Sequence, residues 1–412
     1  MYQSRNLFSK KHISLICACL VPLLVTGPFL PDFLVSTMSI YFLYYSWKHK
    51  LYYLYKNFYF YIFGLFCLVC ILSSLFSDNV FFSLKSSTTY IRIGIFALLI
   101  SYLIDKYEKI LDYFYYSLVI TFSVLILDGY FQYFNGVNLF GSEISGVRIS
   151  SLFGDELILG SYLARLYPLL FALFVIRSNV SFFEKFTIFF SFLLTDILIF
   201  LTGERAAFVL FNLSTIFIIV FISKYKWTRL TIFFVSSLII IFIVLNNNAL
   251  YDRYIKSPIS GMGLTQQNTN KKIFTPSHDF LINTAWNMFL DKPILGHGPN
   301  TFRIVCNDDK YKHNQNFNCE NHPHNFYIQL LAETGIIGFS FLLGLFVYFI
   351  YLSVRHIIEY FKYRQIYLSN YQICLLGGLL ITIWPITSNG NIFTNYLMMM
   401  YSLQIGFFKK KI

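Results

Sequence analysis

Apolar stretches recur along most of the 412-residue sequence, and they constrain the fold more than any other feature. A helix that spans a bilayer needs about 20 mostly apolar residues. Twelve stretches are candidates, centred near residues 21, 38, 67, 96, 121, 167, 194, 215, 238, 343, 379 and 400. With 56% hydrophobic and 13% charged residues, the chain has more apolar surface than a soluble core could bury. The sequence therefore predicts an all-α polytopic membrane protein of about twelve transmembrane helices.

Lysine and arginine are distributed unevenly between the connections, and this asymmetry predicts the orientation of the helices. Alternate connections carry nineteen basic residues: Arg5, Lys10, Lys11, Lys48, Lys50, Lys56, Lys106, Lys109, Arg177, Lys185, Lys224, Lys226, Arg229, Arg355, Lys362, Arg364, Lys409, Lys410 and Lys411. The short connections on the other side carry only Lys85, Arg148 and Arg205. Both termini are therefore expected in the cytoplasm. The first apolar run lacks a small-residue cleavage site, so we interpret it as a retained span. Topology and anionic membrane lipids account for the net charge of +12, so nucleic acid is not an expected partner.

One long external connection separates the ninth and tenth spans and divides the chain into three parts. Spans 1–9 occupy residues 1–246, the connection occupies 247–324, and spans 10–12 occupy 325–412. Within the connection, TPSHDFLINTAWNMFLDKP has a capping signal at Thr275 or Ser277 and a proline stop at Pro293. This pattern predicts a short helix on the membrane surface. A glycine-rich turn follows, from Gly296 to Arg303.

Two of the seven cysteines lie in the same external connection, and the other five lie within spans. Cys306 and Cys319 are thirteen residues apart. Such a pair suits a disulfide in an oxidising compartment such as the periplasm. The alternative is two free thiols.

Ionisable side chains cluster where the tenth span begins. In HPHNFY, the proline suits the first turn of a helix and brings His322, His324 and Asn325 together. The partial positive charge of a helix start favours a neutral imidazole and attracts anions. Glu333 lies inside the following apolar run and would need a partner, while Gly335 and Gly338 indicate tight packing there.

Arginines near the spans are the other candidates for function, because charged groups are costly in a membrane. Arg148 and Arg205 are expected at the same face as the histidines, although each could be a side chain that merely snorkels to the interface. Arg165 lies inside the sixth span, where Asp196 of the seventh span is a possible partner. Arg92 is expected to mark the external end of the fourth span.

The spacing of His322 and His324 also raises the alternative of a metal site, with His278, His297 or His313 as further ligands. No carboxylate or histidine stands at a familiar zinc spacing, however, and the cysteines suit a disulfide instead. We therefore expect no metal ion.

Four blocks of the sequence resemble successive blocks of the O-antigen ligase and O-antigen polymerase superfamily. They are VRISSLFGDELILGSYL, LTGERAAF, GHGPNTFR and HPHNFYIQLLAETGIIGF, and the resemblance spans roughly residues 120–350. It implies a GT-C-like, inverting, metal-independent glycosyltransferase without a cofactor. The glycan would come from undecaprenyl pyrophosphate at the periplasmic face of the bacterial inner membrane and pass to an acceptor hydroxyl.

The resemblance and the residue chemistry together suggest roles for individual side chains. Arg148 and Arg205 would bind the pyrophosphate with their planar donor forks. His324 would be the general base. Its rival His322 would hold the turn or contact the glycan. The remaining expected substrate contacts are Asn325, His278, Arg303, Glu333 and Arg165. Members of the superfamily often have an arginine where this chain has His278, so His278 or Arg303 would complete the phosphate clamp.

The sequence does not separate a ligase, whose acceptor is the lipid A core, from a polymerase, whose acceptor is a second carrier-linked glycan. A polysaccharide exporter or flippase is an alternative of another class. It would need charged residues lining a midplane cavity, whereas most ionisable residues here gather at the external face. A membrane anchor or structural subunit would leave the histidines and arginines unexplained.

Overall fold

The computed structural model describes residues 10–178, 180–261, 275–312 and 319–408, and these ranges are helical apart from their connections. The α-helices are α1 Lys10–Ala18, α2 Leu20–Leu23, α3 Phe29–Lys48, α4 Phe58–Leu75, α5 Val80–Lys106, α6 Ile110–Asn135, α7 Leu159–Val175, α8 Phe182–Leu201, α9 Arg205–Phe221, α10 Lys226–Asn246, α11 Asn248–Tyr251, α12 Ser257–Gly261, α13 Pro276–Asp291, α14 Phe302–Val305, α15 Phe326–Tyr363, α16 Asn370–Thr382 and α17 Asn395–Phe408. No β-strand occurs in these ranges. Arg5, His313 and Lys409 to Lys411 lie outside the described residues.

The all-α prediction is confirmed for the described residues, and each of the twelve predicted centres falls within a helix. Five of these helices, α4, α5, α6, α10 and α15, are long and apolar enough to cross a membrane. Helices α7, α9 and α16 are apolar but shorter. The first predicted span consists of two short helices, α1 and α2, which meet at Cys19. These features are consistent with a polytopic membrane protein, and the count of twelve spans stays a prediction.

The centre of the bundle is formed by α7, which packs against α16, α9, α6 and α8. Of its side chains, only that of Ser161 is not buried. Two adjacent glycines of α16 allow the close approach. A Cβ added at Gly378 would lie 3.0 Å from Cβ of Pro168 in α7, and one at Gly377 would lie 3.1 Å from Cγ1 of Ile218 in α9. Small residues bring the backbones of membrane helices close enough for dense packing.

A buried ion pair joins α8 to α10 and corrects one prediction. Arg229 Nη1 donates to Asp196 Oδ2 at 2.7 Å, and both side chains are at most 3% exposed. Asp196 is therefore not the partner of Arg165, and that prediction was wrong. The physical reason is helix order in space, since α10 packs directly against α8. Arg165 instead donates to the carbonyl of Ser161 in its own helix at 3.2 Å.

Arg92 lies near the middle of α5, and its position at the external end of the fourth span stays a prediction. Its guanidinium makes two hydrogen bonds to Asp32 of α3, the shorter being 2.6 Å, and a third to Ser36. This pair explains how a cation is accommodated within an apolar helix, because the carboxylate compensates its charge.

Candidate functional site

Helix α15 is broken near its start, and the break creates a docking place for the segment that follows α13. Gly335 has φ 63° and ψ −167°, which only glycine adopts readily. The backbone of Ile336 donates to the carbonyl of Pro293 at 2.8 Å, and that of His297 donates to the carbonyl of Ala332 at 3.0 Å. A Cβ at Gly335 would lie only 2.7 Å from the backbone nitrogen of Leu295. The tight packing expected around Gly335 is therefore present.

Glu333 fixes the end of this docked segment. Its Oε1 accepts the backbone N–H of Phe302 at 2.8 Å. Its Oε2 accepts the backbone N–H of Asn300 at 3.0 Å and the side-chain amide of Gln329 at 3.0 Å. The side chain is fully buried. We therefore assign Glu333 to holding the segment that carries Arg303, whereas contact of Glu333 with substrate stays a prediction.

The connection between α16 and α17 supports the same region from another side. Asn391 Nδ2 donates to Asn300 Oδ1 at 2.9 Å, and Gln329 Nε2 donates to Asn391 Oδ1 at 2.7 Å. The backbone of Asn389 donates to the carbonyl of His324 at 2.7 Å. Sequence reasoning missed this connection. Its only signal was the polar run SNGN between two apolar stretches.

Pro323 led us to expect the histidines in the first turn of α15. The histidine turn instead precedes this helix. The N-cap is Asn325, whose Oδ1 accepts the backbone N–H groups of Tyr327 at 3.0 Å and Ile328 at 3.2 Å. Asn325 Nδ2 donates to the carbonyl of Pro385 at 2.7 Å. His324 has φ 56°, an uncommon value for a residue with a side chain. Its backbone is therefore held by the surrounding hydrogen bonds.

His324 is paired with a carboxylate that sequence reasoning did not single out. Its Nε2 lies 2.6 Å from Glu320 Oε2, and the side chains are 25% and 51% exposed. A histidine that donates from Nε2 to a carboxylate keeps the lone pair of Nδ1 available as a base. The structure therefore contains the histidine and carboxylate pair from which many general bases are built.

The ring of His324 lies close to two further histidine rings. The ring centroids of His322 and His324 are 4.2 Å apart, and those of His278 and His324 are 5.1 Å apart. Burial lowers the pKa of His322 to about 3, with His324 adding to the effect and the backbone of Asn389 opposing it. Burial also lowers the pKa of His278, again with a contribution from His324. Both rings are therefore neutral at neutral pH.

Arginines from two separate connections meet over Gly203, which has φ 68°. Arg148 Nη2 donates to the carbonyl of Leu157 at 2.8 Å, and Arg253 Nε donates to the carbonyl of Gly203 at 2.6 Å. A Cβ at Gly203 would lie 3.0 Å from both Arg148 Cγ and Arg253 Nε. Arg205 begins α9 two residues later. The structure therefore gathers three arginines, of which Arg253 was not among the predicted site residues.

Glu204, between Gly203 and Arg205, is bound to the start of α7. Its Oε1 accepts the backbone N–H of Gly160 at 2.7 Å, and its Oε2 accepts the hydroxyl of Ser161 at 2.7 Å. Burial raises the pKa of Glu204, while the bond from Ser161 and the charge of Arg148 lower it. The carboxylate thus connects α7 to the arginines without lying free to receive a ligand.

The positive charges of two arginines act on the histidines. The positive charge of Arg205 contributes to the lowered pKa of His278. The positive charge of Arg303 contributes to the lowered pKa of His322. We call the set of Arg148, Arg205, Arg253, His278, His322, Arg303 and His324 the rim. Its members lie in the α6–α7 connection, at the start of α9, in the segment after α11, at the start of α13, in α14 and in the turn before α15.

Comparison with known families matches the part of the chain that contributes most of the rim. Residues 189–343 match the O-antigen ligase family. This match confirms the resemblance to the O-antigen ligase and polymerase superfamily that the sequence blocks indicated. It includes Arg205, Arg253 and His324, while Arg148 and the α16–α17 connection lie outside it. No curated protein sequence matches the chain.

Within the O-antigen ligase match, the predicted helix of the long connection is present as α13, and its existence is confirmed. It begins after Thr275, whose hydroxyl lies 2.8 Å from His278 Nδ1, and it ends before Pro293. Phe280, Leu281 and Met288 are buried in a small apolar cluster. Helix α13 therefore packs on α15, and this contact holds His278 beside His324.

The two cysteines of the same region lie within the distance of a disulfide, with their Cα atoms 5.9 Å apart. Cys306 is fully buried and belongs to the apolar cluster beneath α13. A disulfide here would close the chain between α14 and the histidine turn. Its formation in the protein stays a prediction that can be tested chemically.

The remaining candidates of the sequence lie away from the rim. Arg165 is buried within α7, where its backbone carbonyl accepts the side-chain amide of Gln404. Two hydrogen bonds, both made by Ser161, connect Arg165 to Glu204. His297 is buried, with Nε2 3.0 Å from the carbonyl of Met288. Across the described ranges, no three His, Cys, Asp or Glu side chains are placed to hold a metal ion.

Proposed function

We propose that the chain is a membrane glycosyltransferase of the O-antigen ligase type. It takes a glycan from undecaprenyl pyrophosphate and transfers it to an acceptor hydroxyl at the periplasmic face of the inner membrane. The observation that carries the proposal is the rim. In it His324 pairs with Glu320, and its ring lies 5.1 Å from that of His278, on which the charge of Arg205 acts. The match of residues 189–343 to O-antigen ligase supports the reaction class.

The arginines of the rim bind the leaving group. As the bond between the anomeric carbon and the pyrophosphate oxygen breaks, negative charge develops on the pyrophosphate. Arg148 and Arg205 supply fixed positive charge and paired N–H donors for its oxygens. Arg303, whose charge acts on His322, adds a further cation. His278, whose ring is neutral, offers a hydrogen bond in place of the arginine that related proteins often have there.

His324 removes the proton from the acceptor hydroxyl. The donor to Glu320 is Nε2–H, so Nδ1 takes the proton while the hydroxyl oxygen attacks the anomeric carbon from the side opposite the pyrophosphate. This attack inverts the configuration at that carbon. Glu320 stabilises the imidazolium that forms, since a carboxylate favours the charged form of its partner. The electron pair of the broken bond leaves with the pyrophosphate.

The acceptor determines whether the enzyme is a ligase or a polymerase, and the family description favours the ligase, whose acceptor is the lipid A core. Deletion of the gene in its host followed by a lipopolysaccharide gel distinguishes them. Loss of all long chains is the result expected for a ligase. A band with a single glycan repeat would instead identify a polymerase.

A transfer assay on purified protein tests the role of His324. General-base catalysis contributes about 10²–10⁴-fold, so His324→Ala should lose activity by at least the lower figure. His324→Asn is a second variant, because asparagine tolerates the positive φ at this position better than alanine does. His322→Ala is the matched control, and it should retain more activity than either.

The outcome that contradicts this assignment is near-normal turnover in both His324 variants. Asp155 and Glu156, which are exposed in the connection before α7, are the alternative bases. Loss of turnover in Asp155→Asn or Glu156→Gln, with His324→Asn active, would identify a carboxylate as the base.

A further inference from the structure

The short segment Asp252–Lys256 follows α11 and brings a cation to the arginines of the rim. Its Arg253 is half-buried, and Nε donates to the carbonyl of Gly203 at 2.6 Å. This is the only hydrogen bond that Arg253 makes to a described residue. The N–H donors of both Nη groups are therefore left for another partner. The bond to Gly203 fixes the direction of the guanidinium and reduces the entropy lost when a ligand binds.

Positive charge is concentrated around Gly203. Arg148, Arg205 and Arg253 provide three positive charges, and Glu204 provides one negative charge whose oxygens already accept N–H and O–H groups from α7. Burial lowers the pKa of Arg253, and the charges of Arg148 and Arg205 lower it further. Like charges brought together in a partly buried place repel one another. An anion bound between them would remove this cost.

Arg148 shows the same incomplete pairing. Its Nη2 is bonded to the carbonyl of Leu157, while its buried Nε has no hydrogen-bond partner in the described part of the chain. A buried donor without a partner is costly, and it indicates a group that a ligand can satisfy. Arg148 and Arg253 contact the same face of Gly203, where a Cβ would meet both. A side chain at this position would therefore occupy the space between them.

We propose that Arg253 is a diphosphate-binding residue that completes the arginine set of the rim. The inference rests on the proposed function, because it assigns Arg253 to the pyrophosphate of the glycan carrier. Three guanidinium groups from separate parts of the chain, at Arg148, Arg205 and Arg253, would then surround the two phosphoryl groups.

The test measures binding of inorganic pyrophosphate to the purified full-length protein in nanodiscs of zwitterionic lipid, so that no anionic lipid headgroup competes. Arg253→Gln should weaken binding by about tenfold or more, as expected for loss of a charged hydrogen-bond donor. Lys256→Gln is the matched control. It removes one positive charge from the same segment, but Lys256 is 72% exposed and pairs only loosely with Asp252, so affinity should stay unchanged.

Arg253→Lys keeps the charge and guards against a folding defect in the glutamine variant. It should weaken pyrophosphate binding several-fold, because lysine lacks the planar donor fork. Wild-type affinity in both Arg253 variants would overturn the proposal, and so would equal affinity of the wild-type protein for inorganic phosphate and pyrophosphate. Loss of melting temperature with unchanged pyrophosphate affinity would show that Arg253 only anchors Gly203, and it would overturn the proposal too.

The binding measurement separates this inference from the proposed transferase activity. Binding of pyrophosphate that depends on Arg253, in a protein that transfers no glycan to a hydroxyl, would uphold the inference and contradict the proposed function. Transfer activity that is normal in Arg253→Gln at low donor concentration would uphold the function and overturn the inference. The kinetic signature expected for Arg253→Gln is a raised KM for the carrier-linked donor.

Discussion

Replacement of Glu333 by glutamine tests how the segment that carries Arg303 is held. The buried carboxylate accepts two backbone N–H groups, from Phe302 at 2.8 Å and from Asn300 at 3.0 Å, on different oxygens. A glutamine has one oxygen, so in either amide orientation one buried N–H group faces an NH₂ group. An unsatisfied buried donor costs about 1–3 kcal/mol, and the bonds that remain lose their charged acceptor, which brings the expected loss of unfolding free energy to about 2–4 kcal/mol.

Thermal unfolding in detergent, together with limited proteolysis between residues 296 and 312, measures this effect. Cleavage in that segment should become faster in Glu333→Gln, because the segment detaches before the helices unfold. Glu359→Gln is the matched control, since Glu359 lies in the same helix and makes only a 3.7 Å contact with Arg355. It should change stability by less than about 1 kcal/mol. Unchanged stability in Glu333→Gln with lost transfer activity would refute the reasoning and return Glu333 to the substrate contacts.

Three further measurements address other features of the structure. Mass spectrometry of non-reduced peptides should find Cys306 linked to Cys319, a closure worth about 3 kcal/mol in a chain-entropy estimate; alkylation of both thiols without reduction would contradict it. Asp196→Ala should lower the unfolding free energy by about 3–5 kcal/mol, because it leaves the guanidinium of Arg229 buried and uncompensated; an unchanged melting temperature would show that water or lipid replaces the carboxylate. The pKa of His322 is lowered to about 3 in the folded protein, so the unfolded chain binds the proton more readily between that value and about 6.5. Stability should therefore fall with acidification in this window, by up to about 1.4 kcal/mol per pH unit, and His322→Gln should remove that part of the slope.

The helices and the polar turn before α15 could be predicted from sequence because both depend on local patterns. The length of the apolar stretches alone located the helices, and HPHN predicted a polar turn at the start of one of them. The pairing of Glu320 with His324 could not be predicted in the same way. Glu320 stands four residues before His324, a spacing that brings side chains together in a helix, but the turn between them is not helical.

Contacts between distant parts of the chain were beyond the reach of the sequence. Arg253 looked like an ordinary cation of a long external connection, where basic residues carry no information about topology. Its proposed role depends on its hydrogen bond to Gly203, which lies fifty residues earlier in the sequence. For the same reason, Arg165 was wrongly expected to be the partner of Asp196. Neither periodicity nor spacing reveals that α10, two helices further on, is the neighbour of α8.

The hydrogen bond from Asn389 to the carbonyl of His324 has a consequence for the smallest unit of this chain that could remain active. A protein shortened after Tyr363 would keep the entire O-antigen ligase match and all seven rim residues. It would nevertheless release the backbone of His324, the side chain of Asn325 and, through Asn391, the side chain of Asn300. The connection between the final two helices therefore supports a turn that lies sixty or more residues earlier in the sequence. The boundaries of the family match do not coincide with those of the candidate site.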